Sequence, residues 1–278
     1  MKILLTGGTG FIGSHFLNQA LLAGHEVMAL RRSPASKPKI TLIEQPQWID
    51  AQLDQVSADQ LIGSDVLVHL AAHSVQYPFD TLASCLRWNL IAALGLFEQA
   101  RLAGIQSYIV AGSCFEYGES GLRYQQIPVT APLAPTNSYA ASKAAASICL
   151  TQWANEHKLG LEILRVFHVF GEGEHESRLW PSLRRAALMG ENFPMTLGEQ
   201  VRDFIPVEEL AKIFLERAES VRYNNQQIAI KNIGSNKSQT VRQFCEFWWS
   251  YWQASGDLEV GALPYRDGEI LRYVPELE

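Results

Sequence analysis

The chain has 278 residues, 47% hydrophobic and 19% charged, enough for a sizeable core in one domain or in one domain with a smaller lobe. Its formal net charge is −6 and it carries no basic stripe, which argues against a nucleic-acid partner. No apolar run reaches the ~18 residues that cross a bilayer, and Met1-Lys2 leads into a short apolar run rather than a secretory leader, so no membrane partner is expected. Four scattered cysteines (Cys85, Cys114, Cys149, Cys245) lack metal-ligand spacing and read as reduced thiols of a cytoplasmic protein with no metal site.

In chain order, Lys2–Leu5 is a predicted strand, and Phe11–Ala23 repeats apolar residues at helical spacing up to Gly24. Glu26–Leu30 is the second strand, and Asp65–Leu70 is a continuous apolar run of the buried type. A long helix over Leu82–Ala103 ends at Gly104 and is followed by a strand at Ser107–Ala111. A second long helix, Ser138–His157, precedes a strand at Leu161–Val166. This alternation predicts an α/β fold, a doubly wound parallel sheet of Rossmann type, over 1–170. After Phe170 the segments shorten, with helices near 179–189, 207–219 and 240–253. They predict a smaller mixed α/β substrate-binding lobe over 171–278, some segments of which return to the first domain.

The first strand runs into "GGTGFIG", 7–13, and then directly into a helix. Backbone N–H groups at such a helix start bind a pyrophosphate. Gly7 and Gly10 allow a tight turn and close approach to phosphates, with Phe11 and Ile12 opening the helix, and Gly13 lets the helix pack near the sheet. An NAD site offers a carboxylate at the end of the second strand, but here the chain reads Ala29-Leu30-Arg31-Arg32-Ser33. Two guanidiniums suit a 2′-phosphate, so NADP(H) is the expected cofactor, with NAD as the alternative.

The second long helix opens with "YAASK", which puts Tyr139 and Lys143 on one face. A phenol titrates near ~10, and a neighbouring ammonium is expected to draw it down towards the working range. "AGSCFEYG" places Ser113 just past a strand end, at the crevice.

Together these pieces resemble the extended short-chain dehydrogenase/reductase family of nucleotide-sugar epimerases, dehydratases and reductases. The resemblance rests on "TGGTGFIG" (6–13), "HLAA" (69–72), Asn89, "GSCFEYG" (112–118), "YAASK" (139–143), "RVFHVFG" (165–171), "VRDFIPVEEL" (201–210), "NIGSNKSQTVRQF" (232–244) and "LPYRDGE" (263–269), covering nearly the whole chain. It implies that Ser113 holds the substrate oxygen, that Tyr139 is the acid/base and that Lys143 tunes Tyr139 and holds the nicotinamide ribose. It places Asp50 at adenine, Leu70, Ala71 and Ala72 along the cofactor, and Phe167 at the nicotinamide. Arg202 and Arg266 fall where the family binds the pyrophosphate of a nucleoside-diphosphate sugar, and His73 lies close enough to the cleft for substrate contact. Arg31 departs from the carboxylate of NAD-dependent members, and His168 stands where many members have Asn, which leaves that substrate contact open.

The resemblance also implies an activity. The leading expectation is an NADPH-dependent reductase of a 4-keto-6-deoxy nucleoside-diphosphate sugar, with Tyr139 as proton donor. The alternatives are a 4-epimerase that retains its nicotinamide and a cofactor-binding regulator without turnover. A homodimer through a four-helix bundle of the two long helices is implied as well, and Ala92, Ala93, Ala100, Ala103, Ala140, Ala141, Ala144, Ala145 and Ala146 are small enough for close helix approach. His15, His25 and His69 read as core or surface histidines, and His175 and Glu176 as part of a loop over the site. The aromatic run Phe247–Trp252 reads as packing within the small lobe.

Overall fold

The apolar runs of the first half become the strands of one sheet. The computed structural model describes residues 1–221, 227–266 and 269–277. Lys2–Thr6 (β1) enters the helix Phe11–Leu22 (α1) and returns as Glu26–Arg31 (β2). Then come Gln47–Asp50 (β3), Val66–His69 (β4), Leu82–Leu86 (α2), a π-helical turn at Arg87–Ile91, and Ala92–Leu102 (α3). Ser107–Ser113 (β5), Ser138–His157 (α4) and Gly160–Val166 (β6) complete the first half.

Within β1, Ile3 and Leu5 belong to one core cluster and Leu4 to another, because successive side chains leave opposite faces of a strand. On one face they meet Phe16 and Leu17 of α1 together with Phe214; on the other, Phe97, Tyr108 and Trp153 form the layer. The seven strands run in the order β10-β6-β5-β4-β1-β2-β3, where β10 is Ile228–Ile233, and every pairing is parallel. The order reverses between β1 and β4, which opens a ligand crevice at the carboxyl ends of these strands.

Two sequence expectations change. The long helix over 82–103 is interrupted by the π turn, which turns Asn89 inward to 4% exposure. The strand β3 was not expected; its four residues are all at least half-buried or exposed, so it has no apolar run to betray it.

The second half contributes His168–Phe170 (β7), Leu179–Met189 (α5), Phe193–Met195 (β8), Val201–Pro206 (β9) and Val207–Val221 (α6). After β10 come Ser238–Thr240 (β11), Val241–Tyr251 (α7), Leu258–Val260 (β12) and Arg272–Tyr273 (β13). From the region expected as a lobe, α6 covers α1 through its apolar face, and β10 extends the main sheet beside β6. The remaining strands pair among themselves: β9 joins β7, β11 and β13, and β8 joins β12. Between α5 and α7, Leu183 and Ala187 pack with Cys245, Trp248, Trp249 and Trp252, while Phe247 and Tyr251 of the same aromatic run face outward. Among the described residues, no helix is long and apolar enough to cross a membrane.

Candidate active site

The glycine turn between β1 and α1 can be occupied only by glycine at its two tightest points. Gly7 has φ +77°, and a Cβ there would lie 2.6 Å from the Ala71 nitrogen. A Cβ on Gly13 would collide with the Gly7 carbonyl oxygen. The Gly10 N–H donates to the Gly7 carbonyl at 2.8 Å, and Gly10 caps α1 without a side chain. The first turn of α1 carries no acidic residue, so its amides at Phe11 and Ile12 face no competing carboxylate and fit an anion such as a pyrophosphate. Thr6 Oγ1 accepts the Ala71 N–H at 3.3 Å, which holds the Leu70-Ala71-Ala72 exit of β4 against this turn.

At the end of β2, Arg31 Nε donates to Asp50 Oδ1 at 2.6 Å, and its guanidinium lies 4.7 Å from the Trp48 ring centroid. Arg31 and Asp50 are register partners on β2 and β3, so two residues expected to meet the cofactor separately meet each other. Arg32 is exposed beside them.

The acid/base pair forms where β5 ends against α4. Asn137 accepts the Ala140 N–H at 2.9 Å, which starts α4 and puts Tyr139 in its first turn. The Tyr139 ring is buried, stacked on Phe79 at 6.0 Å and edge-on to Phe115 at 6.4 Å. Burial pushes its phenol above the ordinary range, opposed by a hydrogen bond with Ser113 and by the positive charge of Arg178. Tyr139 therefore stands as a phenol, a proton donor. The expected tuning by Lys143 is not what the structure shows: Lys143 Nζ donates to the Ala111 carbonyl at 2.7 Å, and burial lowers the Lys143 pKa. One helical turn puts Tyr139 and Lys143 on a common face, but the carbonyl at the end of β5 is the better-placed acceptor for the ammonium.

Beneath this pair lies a buried carboxylate that sequence reasoning passed over. Glu116 Oε1 accepts the Ser113 N–H at 2.7 Å. Its Oε2 accepts Ser147 Oγ at 2.8 Å and Arg165 Nε at 2.9 Å. Arg165 also donates to the Tyr117 hydroxyl and the Val129 carbonyl, each at 3.0 Å. Glu116 thus fixes the backbone of Ser113 and the third turn of α4 from below. The signal was present as the Glu of "GSCFEYG", but its partners lie 31 and 49 residues away.

Asn89 braces the other side. Its Oδ1 accepts the His73 N–H at 2.6 Å, and its Nδ2 donates to the His73 carbonyl at 3.1 Å and to Ser142 Oγ at 2.9 Å. Ser142 Oγ donates in turn to the Tyr139 carbonyl at 2.8 Å. The π turn that delivers Asn89 is the kind of helix irregularity often found at functional sites.

The residues expected at the substrate are spread over the crevice wall. His73 Nε2 lies 2.8 Å from Asp80 Oδ2, at the half-exposed mouth. His168 Nδ1 is buried without a partner among the described residues. Burial, with the charges of Arg202 and Arg178, pushes His168 down to about 3, so the ring is neutral at pH 7. Arg202 is largely buried and donates to the Val201 and Ile270 carbonyls at 3.0 and 2.5 Å and to Glu269 at 3.3 Å. Arg266 is exposed and has no side-chain partner among the described residues, so the structure does not join it to Arg202. Phe167 is 4% exposed and packs between Tyr117 and Tyr273, so its ring serves the core rather than a nicotinamide face. Arg178, which no sequence argument singled out, has a charge that acts on Tyr139, Cys114 and His168 at once.

A model of the NAD dependent epimerase/dehydratase family matches residues 3–234. UDP-glucose 4-epimerase of Streptomyces lividans is 30% identical over 88% of this chain and 79% of its own. The solved UDP-N-acetylglucosamine 4-epimerase of Methanobrevibacter ruminantium M1, in complex with UDP-N-acetylmuramic acid, is 28% identical with a TM-score of 0.85, over 99% of this chain and 89% of its own. MoeE5 in complex with UDP-glucuronic acid and NAD is 26% identical with a TM-score of 0.83, over 100% of this chain and 90% of its own. The resemblance read from the motifs is thereby established, together with its doubly wound fold. The chain belongs to the NAD dependent epimerase/dehydratase family and is an enzyme of it that works with a nicotinamide cofactor.

Proposed function

We propose that the protein is a nucleoside-diphosphate-sugar 4-epimerase that keeps its nicotinamide bound. The observation that carries this reading is the buried Tyr139 phenol in the first turn of α4, acted on by Ser113 at the end of β5, in a chain whose relatives named above include two 4-epimerases. A single sugar hydroxyl meets both groups there, with Ser113 holding the oxygen and Tyr139 moving its proton. The 4-keto-6-deoxy reductase reading uses the same pair but finds less support among those relatives. The nicotinamide, when bound in its oxidised form, supplies the hydride acceptor and a positive charge that favours the Tyr139 phenolate. The chain's own part is to bury Tyr139, exclude water with Phe79 and Phe115, and return the proton to the same oxygen. Arg202, Arg266 and neutral His168 would hold the diphosphate end of the substrate, and His73 the sugar side. The test is conversion of UDP-glucose or UDP-N-acetylglucosamine to its C4 epimer without net gain or loss of reduced cofactor. Stoichiometric consumption of NADPH with a 4-keto sugar nucleotide would favour the reductase instead.

We read the cofactor as NADP(H). Arg31, Arg32 and Asp50 together leave one net positive charge at the end of β2, and Arg32 is exposed there. NADP+ is expected to bind more tightly than NAD+, and Arg32→Ala to erode that preference. Dissociation constants measured side by side check it; equal or tighter NAD+ binding contradicts the reading.

For assembly we propose a homodimer through α2, α3 and α4, on different grounds from the alanine pattern. Ala92, Ala93, Ala100, Ala140, Ala144 and Ala146 are all 5% exposed or less and pack into the chain's own core, leaving Ala103, Ala141 and Ala145 only partly covered. What these helices leave open is larger: Ile91, Leu102 and Ile148 are 58–62% exposed. A two-fold dimer would cover this patch with its own copy. Light scattering should give twice the chain mass, and Ile148→Glu should return it to the chain mass; an unchanged monomer in the wild-type protein rules the dimer out.

A further inference from the structure

Two neighbouring residues on the loop between β4 and α2 meet two neighbouring residues at the start of α4. The Phe79 ring stacks on Tyr139 at 6.0 Å with the ring planes 10° apart, and the Asp80 carbonyl accepts Ser138 Oγ at 2.6 Å. The place of Asp80 therefore decides where the Phe79 ring lies. The Asp80 side chain is 44% exposed, yet its carboxylate gathers three partners from its own loop and from α2. Its Oδ2 accepts Ser84 Oγ at 2.7 Å and lies 2.8 Å from His73 Nε2, and its Oδ1 accepts the Thr81 N–H at 2.7 Å. The Asp80 N–H donates to Ser74 Oγ at 2.7 Å, which closes the segment 74–80 on itself. At the other end of the loop Asn89 holds the His73 N–H, and Asn89 is held by Ser142 of α4. Both ends of the loop are thus tied to the helix that carries Tyr139. An exposed carboxylate gains little stability from such pairs, since water competes for each of them. What the cluster supplies is geometry.

We propose that Asp80 is a positioning residue that acts through Phe79: its three partners fix the Phe79 ring over the Tyr139 phenol, and the ring keeps water off the phenol. The inference rests on Tyr139 being the acid/base of the site. Tyr139 has aromatic cover on two sides, Phe79 face-on and Phe115 edge-on. Phe115 follows β5 directly and its N–H donates to Ser113 Oγ at 3.2 Å, so the sheet sets its place. Phe79 belongs to the loop, and the Asp80 cluster beside it sets the place of its ring.

The consequence falls on the Tyr139 oxygen. Burial is the largest influence that holds this phenol above its ordinary range. Removing or displacing the Phe79 ring wets the oxygen, and a wetted phenol ionises more easily. The other titratable and charged groups facing Tyr139 are Cys114 and Glu116 after β5, Arg178 at the start of α5 and Lys143 one turn along α4. They lie outside the loop, so a change confined to the loop leaves their pull in place. Hydrogen bonds from Ser84, His73 and Thr81 hold the Asp80 carboxyl down at about 2, so it stays ionised throughout the range in which a phenol titrates.

Carbon-13 labelling of the full chain at tyrosine Cζ reads the ionisation of the phenol by NMR without any sugar nucleotide, and the resonance missing from Tyr139→Phe identifies Tyr139. Titrated from pH 7 to about 11, the wild-type resonance should stay in place, because its midpoint lies above the ~10 of a free phenol. In Phe79→Ala the midpoint should fall into that window, to ~10. Asp80→Ala should bring it down as well. Asp80→Asn keeps one acceptor oxygen and should bring it down less, and it carries the test if Asp80→Ala does not fold. The double variant Phe79→Ala with Asp80→Ala should match Phe79→Ala alone, because Asp80 then has no ring to place. Epimerisation of UDP-glucose or UDP-N-acetylglucosamine should slow about 10- to 100-fold in Asp80→Ala, with the affinity for UDP unchanged. A wild-type midpoint already at ~10, a midpoint left unmoved by both Asp80 variants, or a double variant displaced well beyond Phe79→Ala overturns the inference. Absence of epimerisation in the wild-type protein overturns the 4-epimerase reading instead, and the titration still decides the role of Asp80.

Discussion

Replacing Tyr139 with Phe should lower turnover by ~10²–10⁴-fold while cofactor binding stays intact. The substitution removes one oxygen and keeps the ring that stacks on Phe79 and meets Phe115 edge-on. The oxygen is the atom on which Ser113 acts, and no other titratable hydroxyl lies in the first turn of α4. Stability should change little, because one buried hydrogen bond is worth about 1 kcal/mol net. Steady-state kinetics and a cofactor titration on the same preparation check both halves. Near-wild-type turnover would remove Tyr139 from the chemistry.

The largest structural effect is expected at Glu116. Glu116→Ala leaves the Arg165 guanidinium, 5% exposed at its side chain, without its carboxylate. Breaking one side of a buried ion pair costs ~3–5 kcal/mol, because the remaining charge is stranded away from water. The same change frees the Ser113 N–H and Ser147 Oγ, so activity should fall along with stability. Joint replacement, Glu116→Leu with Arg165→Met, should recover much of the stability and none of the Ser113 anchoring. Denaturant unfolding of the single and double variants separates the two effects. A single variant within about 1 kcal/mol of wild type would show that Glu116 carries no such weight.

Much of the fold was legible because burial leaves a pattern in the chain. A strand covered on both faces reads as a near-continuous apolar run, so β1 and β4 show themselves, and Gly24 and Gly104 mark helix ends by their positive φ. What escaped lacked such a pattern. The strand β3 sits at the sheet edge with polar ends, and the π turn at Arg87–Ile91 preserves helical spacing well enough to pass as one helix. The return of α6 and β10 to the main sheet is a fact of chain topology, carried by the β6–β10 pairing rather than by composition.

The site divides in the same way. Gly7, Gly13, Ser113 and Tyr139 were readable because each meets a local demand, a turn, a close approach or a helix start. Arg31, Lys143 and Arg202 were read for their ligands alone; in the structure each also meets a neighbour distant in sequence: Asp50, the Ala111 carbonyl and the Ile270 carbonyl. Glu116 escaped altogether, since a buried charge has no signature until the fold supplies its partners.

The most direct measurement of the central claim is the fate of the hydrogen at C4. UDP-glucose or UDP-N-acetylglucosamine, incubated in deuterated water with the purified protein and catalytic NADP+ or NAD+, should come to equilibrium with its C4 epimer. The C4 hydrogen should remain undeuterated, because hydride leaves and returns within the closed site while only the oxygen's proton passes through Tyr139. No net reduced cofactor should accumulate. Deuterium at C4, steady accumulation of reduced cofactor, or no epimer from either sugar nucleotide would contradict the account.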